Sequence, residues 1–365
     1  MKINIEGPIG AKTRINGQDF DYFSGTGYLG LQSHPEVLSA AAEAIGQYGL
    51  FTGSSRGGYG EHPLYLALEQ EACRFFGAER VVYFASGYLG MSVLTQAGPE
   101  HFDHIFIDAA AHFSLWDAAQ ATNRPITPFH HLRADALEES LRKELSPGER
   151  PLVLSDGVFP VSGEISPLPD FLQVVKGYDG VIYLDDAHAV GVLGAAGRGT
   201  PDHFGISAQD CRTSATLAKA LGGYGGILWG ERGWAESIER NSRICAGASP
   251  PPLVVAAASA RALALARENP QWRETLRENV RLARDGFRGL GWEVADSPSP
   301  IICLDGRNGV SLERVRDGLF QKGIAVTLVR GYTSAPPGGG LRIAIMATHT
   351  VEQIERLLRE MGGLP

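Results

Sequence analysis

The segment Val181-Ile182-Tyr183-Leu184-Asp185-Asp186-Ala187-His188 indicates the fold of this chain. It begins as a short apolar run and ends in two carboxylates and an imidazole. A strand whose successive residues are all apolar has both faces buried, which is typical of a parallel sheet covered by helices. Functional side chains collect where such strands end, because the loops there converge on one crevice. We therefore expect a functional site directly after Leu184.

Similar apolar runs occur on both sides of this segment, at residues 81–84, 104–107, 152–154 and 226–229. Each is short enough for a strand, and the chain between them is long enough for crossover helices. This alternation predicts an α/β fold with a mostly parallel central sheet flanked by helices. Pro250-Pro251-Pro252 interrupts the pattern, and the remainder predicts a smaller C-terminal α+β domain. We divide the chain into an N-terminal segment (1–35), a large domain (36–247) and a small domain (248–365).

Composition argues against several classes of protein. The 365 residues are 44% hydrophobic and 20% charged, and no apolar run approaches the roughly 20 residues that a membrane span needs. The net charge of -8 comes without a basic cluster, which argues against a nucleic-acid partner. The first seven residues lack the pattern of a secretory signal. We expect a cytoplasmic protein with no membrane partner and no metal site.

Three loops that follow the apolar runs carry candidate functional groups. Ser86-Gly87-Tyr88 offers a glycine and the start of a helix, which suit a phosphate. His112 follows the second run and suits stacking on an aromatic cofactor. The Asp185 carboxylate suits pairing with a protonated pyridine nitrogen of such a cofactor. His188 follows closely enough to contact a phenolic oxygen on the same cofactor ring. Taken alone, each loop is also compatible with a structural turn, histidine or buried carboxylate.

Lys219 connects these separate features. It lies in Thr216-Leu217-Ala218-Lys219-Ala220-Leu221-Gly222-Gly223, a glycine-rich loop after a predicted strand. Thr216 is close enough in sequence to give its hydroxyl to a phosphate. For an isolated lysine, a solvated surface role is the ordinary alternative. An amine, an anion cradle and a strand-end carboxylate together meet the needs of pyridoxal 5'-phosphate (PLP), which forms a Schiff base with lysine.

As a set, the motifs resemble those of the α-oxoamine synthases. This family of fold-type I PLP-dependent transferases, in the class II aminotransferase superfamily, contains 8-amino-7-oxononanoate synthase, 2-amino-3-ketobutyrate CoA ligase and serine palmitoyltransferase. The resemblance runs from about residue 15 to the end of the chain. It is carried by residues 28–31, 53–56, 62, 68–69, 86–88, 112, 156–159, 185–191, 197–199, 216–223, 341–343 and 348–350.

The resemblance implies a role for each matching residue. Lys219 would hold PLP and move protons, Asp185 would pair with the pyridinium nitrogen, and His188 would contact the phenolic oxygen. His112 would stack on the ring. The rest of the implied cofactor shell is Ser86, Gly87, Tyr88, Asp156, Thr216 and, from a neighbouring subunit, Ser249. Arg342 and Thr26 are the implied substrate-binding residues, since a guanidinium fork suits a carboxylate.

The reaction implied by the resemblance is the condensation of an amino acid with an acyl-CoA thioester to give an aminoketone, through an external aldimine and a quinonoid carbanion. The implied assembly is a homodimer with its active sites at the interface. A PLP-dependent aminotransferase or amino-acid lyase of the same lineage, without acyl-CoA, is the alternative. A non-catalytic partner subunit is a third interpretation, which intact Lys219, Asp185 and His188 disfavour.

Several positions depart from the family pattern, and they cluster on substrate recognition. Thr26 stands where the run NDYLGL has Asn, Pro160 stands where FSMDGD has Ser, and Asp156 stands where Glu is common. In the loop at residues 245–250, Ser249 is the one hydroxyl donor that remains. The N-terminus is shorter than that of family members by roughly one helix. These departures leave the PLP-binding residues intact and leave the electrophile open.

Overall fold

A computed structural model describes residues 3–306 and 310–363 of the chain. Its strands are β1 (Lys12–Ile15), β2 (Gln18–Tyr22), β3 (Arg80–Phe84), β4 (His104–Asp108), β5 (Ile126–Phe129), β6 (Pro151–Asp156), β7 (Val181–Asp185), β8 (Arg212–Thr216), β9 (Gly226–Gly230), β10 (Ile301–Asp305), β11 (Ile324–Ala325), β12 (Thr327–Val329) and β13 (Gly340–Ala344). Its helices are α1 (Pro35–Tyr48), α2 (Pro63–Phe76), α3 (Gly90–Ala97), α4 (Phe113–Ala121), α5 (Ala134–Glu144), α6 (Leu168–Lys176), α7 (Thr200–Phe204), α8 (Arg232–Asn241), α9 (Arg243–Gly247), α10 (Leu253–Glu268), α11 (Gln271–Gly289), α12 (Leu312–Gln321) and α13 (Val351–Gly362).

The centre of the fold is a seven-stranded sheet in the order β3-β9-β8-β7-β6-β4-β5. Strand β9 runs antiparallel to both of its neighbours, and the other pairings are parallel. Every residue of β4 and of β6 is buried, as expected for strands that helices cover on both faces. The predicted α/β fold with a mostly parallel sheet is confirmed.

Two strands of this sheet have weak sequence signals. Strand β5 contains Pro128, which cannot donate a ladder hydrogen bond, and it accordingly lies at the edge of the sheet. Strand β8 reads Arg212-Thr213-Ser214-Ala215-Thr216, and its threonine and serine side chains are nevertheless buried between β7 and β9. Their burial places hydroxyl groups at the end of the strand that precedes Lys219.

The C-terminal part contains an antiparallel sheet in the order β10-β13-β12, which confirms the smaller α+β unit. A third sheet joins the two ends of the chain, because β2 pairs with β11 in parallel, Ile324 opposite Asp21. No helix within the described residues is both long and apolar enough to cross a bilayer.

The motif Thr348-His349-Thr350 stabilises the start of α13. The Thr350 hydroxyl accepts the N–H of Gln353 at 3.3 Å, and the Gln353 side chain accepts the N–H of Thr350 at 3.0 Å, which forms a capping box. His349 Nδ1 accepts the N–H of Met346 at 2.9 Å, and its ring stacks on Phe23 with centroids 4.1 Å apart. This part of the family resemblance is therefore structural.

Candidate active site

The carboxyl ends of β6, β7 and β8 bring the main candidate residues to one edge of the sheet. Asp156 lies opposite Asp185, and Asp185 lies opposite Ser214 in the strand register. Lys219 follows β8, and its pKa responds to the charges of Asp185 and Asp156. The structure thus gathers the amine and the two carboxylates, although Asp156 lies 29 residues before Asp185 and Asp185 lies 34 residues before Lys219 in the sequence.

Lys219 is half-buried in the crevice. Loss of solvent lowers the pKa of its amine to about 8, although the carboxylates of Asp185 and Asp156 act in the opposite direction. A larger fraction of the amine is therefore unprotonated near neutral pH than for a surface lysine. An unprotonated amine is the form that attacks a carbonyl.

Asp185 is buried, and its Oδ1 accepts the N–H of Ala187 at 3.0 Å. Beside it, Asp156 accepts the backbone N–H of His112 at 2.8 Å through Oδ2. Burial, followed by the negative charge of Asp185, raises the pKa of Asp156 well above its usual value. The two neighbouring carboxylates therefore differ in environment, and Asp156 anchors the loop that carries His112.

His112 caps helix α4, since its Nδ1 accepts the N–H of Ser114 at 3.2 Å. The ring lies 5.8 Å from the ring of Tyr88 in an edge-on arrangement and 5.8 Å from the ring of Tyr332. Burial lowers the pKa of His112. The imidazole is therefore held by its own helix in an aromatic setting.

The turn after β3 carries the residues that the sequence predicts to bind a phosphate. The Ser86 hydroxyl accepts the N–H of Tyr88 at 3.3 Å, so that the serine begins a short 3₁₀ turn leading into α3. A Cβ at Gly87 would lie 2.5 Å from Cβ of Thr216, so only glycine allows this approach. The Thr216 hydroxyl donates to the carbonyl of Gly225 at 3.1 Å and accepts the N–H of Ala218 at 3.2 Å.

His188 and Arg342 are joined by Tyr28. The Tyr28 hydroxyl lies 2.8 Å from His188 Nδ1 and 3.3 Å from Arg342 Nη2. All three side chains are buried. Burial, followed by the charges of Lys219 and Arg342, lowers the pKa of His188 well below its usual value, so the imidazole is neutral at neutral pH.

Arg342 is held by backbone carbonyls from the two segments that depart from the family pattern. Its Nε donates to the carbonyl of Pro160 at 2.7 Å and its Nη1 to the carbonyl of Gly25 at 3.0 Å. Arg342 contacts the backbone carbonyl of residue 160 and not its side chain. A proline at this position therefore still provides the hydrogen-bond acceptor. Thr26 lies in the same turn as Gly25, and its carbonyl accepts the N–H of Tyr28 at 2.9 Å.

Ser249 is exposed on the loop between α9 and α10. Ser86, Gly87 and Thr216 are brought together by the fold of a single chain. The expected role of Ser249, in contrast, involves a neighbouring subunit. Tyr88 is 45% exposed, and its hydroxyl donates to Asp117 at 2.5 Å.

A cavity of about 910 Å³ opens beside the crevice. Its wall includes Ala109 and Ala110, just before His112, and Thr333 and Ser334, just after Tyr332. The side-chain oxygens of Thr333 and Ser334 are buried and have no hydrogen-bond partner among the described residues. Such hydroxyls are available to a polar ligand.

His131 also lines this cavity. Its Nδ1 lies 2.8 Å from Asp108 Oδ1 and its Nε2 lies 3.2 Å from Glu164 Oε2. Burial acts to lower the pKa of His131, but the hydrogen bonds and charges of Asp108 and Glu164 raise it to about 9. The imidazole is therefore cationic at neutral pH.

Local sequence patterns do not reveal a role for Tyr28, Tyr332 or His131. Tyr28 was visible within the run at residues 28–31, but its hydroxyl partners lie 160 and 314 residues away. Tyr332 follows a short strand in a loop rich in proline and glycine, and only its aromatic character hints at a contact. His131 is part of a His-His pair after a strand that the sequence signals poorly.

Comparison with known proteins agrees with this geometry. Residues 24–361 match the family described as aminotransferase class I and II. The 8-amino-7-oxononanoate synthase of Methylococcus capsulatus is 35% identical over 360 residues, which are 98% of this chain and 92% of that protein. The 8-amino-7-oxononanoate synthase of Nitrosococcus oceani is 32% identical over 98% of this chain and 94% of its own length.

Solved structures show the same architecture. Serine palmitoyltransferase from Sphingomonas wittichii superposes with a TM-score of 0.92 at 25% identity, covering 99% of this chain and 91% of that chain. Serine palmitoyltransferase with a PLP internal aldimine superposes with a TM-score of 0.91 at 26% identity, with the same coverage. This chain therefore belongs to the class I and II aminotransferase family and, within it, to the α-oxoamine synthases.

Proposed function

We propose that this protein joins an amino acid to an acyl-CoA thioester, releases CoA and forms an aminoketone. The observation that carries the proposal is one crevice in which the Lys219 amine, the Asp185 carboxylate and the Arg342 guanidinium meet beside a cavity of about 910 Å³. The first three groups suit an amino acid bound to PLP, and the cavity provides space for a second substrate.

PLP is the cofactor, and three features of the chain fit it. Gly87 packs so closely on Thr216 that no Cβ fits between them, which holds the turn after β3 against the end of β8, where the cofactor phosphate is expected. The buried Asp185 carboxylate uses Oδ1 within its own turn, which leaves Oδ2 for a cationic ring nitrogen. Lys219 offers an amine with a lowered pKa. When bound, PLP withdraws electrons from the α-carbon of the amino acid and so stabilises negative charge there.

Lys219 has two tasks in this proposal. Its unprotonated Nζ would hold the cofactor, and the same Nζ would accept a proton from the α-carbon of the substrate. A pKa of about 8 suits a base that works near neutral pH. His112 would lie against the bound cofactor and exclude water from it.

Asp185 supplies the charge that keeps the ring nitrogen protonated. Asp156 accepts the backbone N–H of His112 and therefore holds the loop that carries the imidazole.

Arg342 binds the carboxylate of the amino acid. Its guanidinium has five N–H groups, and the contacts to Pro160, Gly25 and Tyr28 use one on Nε, one on Nη1 and one on Nη2. One N–H on each terminal nitrogen is left, and this pair suits the two oxygens of a carboxylate. We place Thr26 beside that carboxylate because it adjoins Gly25.

The acyl-CoA enters through the large cavity. The pantetheine arm of CoA carries two amides, which need hydrogen-bond partners when they leave water. The hydroxyls of Thr333 and Ser334 are buried and free within the described residues, and both lie next to Tyr332 at the mouth of the crevice. The thioester would thus reach the substrate from the side of His112.

We also propose that the protein is a homodimer whose interface completes the site. Large apolar side chains are exposed in the turn after β3 and in the segment between α1 and α2: Tyr88 is 45% exposed, Leu50 is 59% exposed and Tyr59 is 100% exposed. Exposed apolar surface of this kind marks an interface. Ser249 of one chain would then reach the cradle formed by Ser86, Gly87 and Thr216 of the other.

The test is a substrate screen with the PLP-loaded protein. Single amino acids are incubated with a panel of acyl-CoAs, free CoA is measured with a thiol reagent, and the aminoketone is identified by mass spectrometry. We expect CoA release that requires both substrates and disappears in Lys219→Ala. Formation of a 2-oxo acid without any thioester would contradict the proposal and support the aminotransferase alternative.

A further inference from the structure

Tyr28 has a hydroxyl that bridges the substrate-binding arginine and the imidazole beside the cofactor. It is fully buried, and within residues 3–306 and 310–363 its hydroxyl has two polar contacts, Arg342 Nη2 at 3.3 Å and His188 Nδ1 at 2.8 Å. This arrangement bears on His188, whose place beside the cofactor rests on the function proposed above.

The chemistry of the three groups sets the direction of each hydrogen bond. A guanidinium has donors only, so the Tyr28 oxygen must accept from Arg342. The single proton of the Tyr28 hydroxyl is then free for the shorter contact, and His188 Nδ1 is its acceptor. A neutral imidazole that accepts at Nδ1 carries its own proton on Nε2.

The surroundings of His188 keep the imidazole neutral. Burial comes first among the causes that lower its pKa, followed by the positive charges of Lys219 and Arg342 and the nearby His112. The ring thus has one proton for two nitrogens. No described residue forms a hydrogen bond with Nε2, whereas Nδ1 is occupied by Tyr28.

We propose that Tyr28 is a positioning residue: it accepts from Arg342, donates to His188 Nδ1, and so holds His188 with its N–H on Nε2, directed at the phenolic oxygen of PLP. Without the Tyr28 hydroxyl, the proton of His188 would be free to move to Nδ1, and Nε2 would face the anionic oxygen as a lone pair. The ring of Tyr28 also packs in the hydrophobic core, and Tyr28→Phe would preserve this packing.

A second consequence follows from the shared hydroxyl. The Arg342 N–H that faces Tyr28 polarises the tyrosine O–H and strengthens its donation to His188, because successive hydrogen bonds polarise one another. Binding of a carboxylate to Arg342 therefore changes the strength of the hydrogen bond from Tyr28 to His188, and so the hydrogen bond at the phenolic oxygen. The substrate site and the cofactor site are joined by two hydrogen bonds.

The test uses the PLP-loaded protein and the visible absorbance of the Lys219-bound cofactor as a function of pH. A donor to the phenolic oxygen stabilises its anionic form and lowers the pH at which the chromophore loses its proton. We expect Tyr28→Phe to raise this apparent pKa by about one unit, on the order of the effect of one hydrogen bond to a charged group. Tyr183→Phe, which removes another buried hydroxyl, bonded to Glu100 at 3.0 Å, is the matched control and should titrate as the wild type does.

A double variant separates action through His188 from a general disturbance. If Tyr28 acts through His188, Tyr28→Phe adds no further shift in a His188→Leu background. Additive shifts, or an unchanged titration in Tyr28→Phe, would overturn the inference.

Nitrogen NMR of the wild-type protein provides a measurement that does not depend on any variant folding. With ¹⁵N-histidine, His188 Nε2 should resonate as the protonated nitrogen and Nδ1 as the unprotonated one, and the reverse assignment would overturn the inference. Failure to bind PLP at all would instead contradict the proposed function, so the two failures are distinguishable.

Discussion

The Asp186 carboxylate accepts two hydrogen bonds from Thr200, one from its backbone N–H at 2.7 Å and one from its hydroxyl at 2.6 Å. Both residues are fully buried. Asp186 directly follows Asp185, and the carbonyl of Asp186 accepts the N–H of Ala189. This contact ties the turn that carries Asp185 and His188 to the start of α7.

The Thr200 hydroxyl is expected to be the stabilising half of this contact. Thr200→Val removes one of two donors from a buried carboxylate, which should cost about 2–3 kcal/mol in the free energy of unfolding. Thr200→Ser keeps the hydroxyl and loses only a methyl group, at about 1 kcal/mol. Urea unfolding measures both values. A valine variant that is as stable as the serine variant would contradict the prediction.

Gly157 should tolerate no side chain, because a Cβ there would lie 1.9 Å from Asp186 Oδ1. We expect Gly157→Ala to lower stability by about 1–3 kcal/mol or more through overpacking and to weaken PLP retention, since the Asp185 turn would shift. The control is Gly46→Ala in the exposed part of α1, where a Cβ meets nothing within 4 Å. That change should stabilise the protein by about 0.5–1 kcal/mol. Equal stability of the two variants would refute this account.

His131 should make stability depend on pH. Its folded-state pKa is raised from 6.5 to about 9. The stabilisation is therefore complete below pH 6.5 and is lost as pH rises through 9. Wild type should be more stable than His131→Gln at pH 6, and the difference should shrink steadily up to pH 10. Urea midpoints across this range test it, with the exposed His101→Gln as control. A difference independent of pH would show that His131 is not charged in the folded protein.

Arg342→Lys should weaken amino-acid binding by about 10–100-fold, because an ammonium cannot hold the carbonyls of Pro160 and Gly25 and still present two N–H groups to a carboxylate. The measurement is a spectral titration of the PLP-loaded variant with the amino acid that supports CoA release. Arg330→Lys, an exposed arginine paired with Glu313, is the control. Unchanged affinity in Arg342→Lys would remove this arginine from the substrate site.

Functional residues could be predicted from the sequence where they lie at the ends of strands. Asp185, His188 and Lys219 follow buried strands, so the rule that parallel strands end at one edge was enough to group them. Strand β5 was harder to predict because Pro128 interrupts its pattern, and β8 was harder because its buried side chains are polar. The division of the chain at residue 248 stays a prediction.

Contacts between distant segments could not be predicted from local patterns. The pairing of β2 with β11 depends on how the two ends of the chain meet. The contact of Arg342 with Pro160 spans 182 residues and uses a carbonyl, so the proline gave no sign of it. The departure at Pro160 suggested altered substrate chemistry, whereas the structure shows that its carbonyl holds the arginine in place.

The central claim is that Lys219 holds PLP, and covalent trapping tests it most directly. The purified protein is loaded with PLP, reduced with borohydride, digested and mapped by mass spectrometry. The account predicts a reduced pyridoxyl group on the peptide that contains Lys219, and no label in Lys219→Ala. A protein that retains no PLP, or a label on another lysine in the wild type, would contradict it.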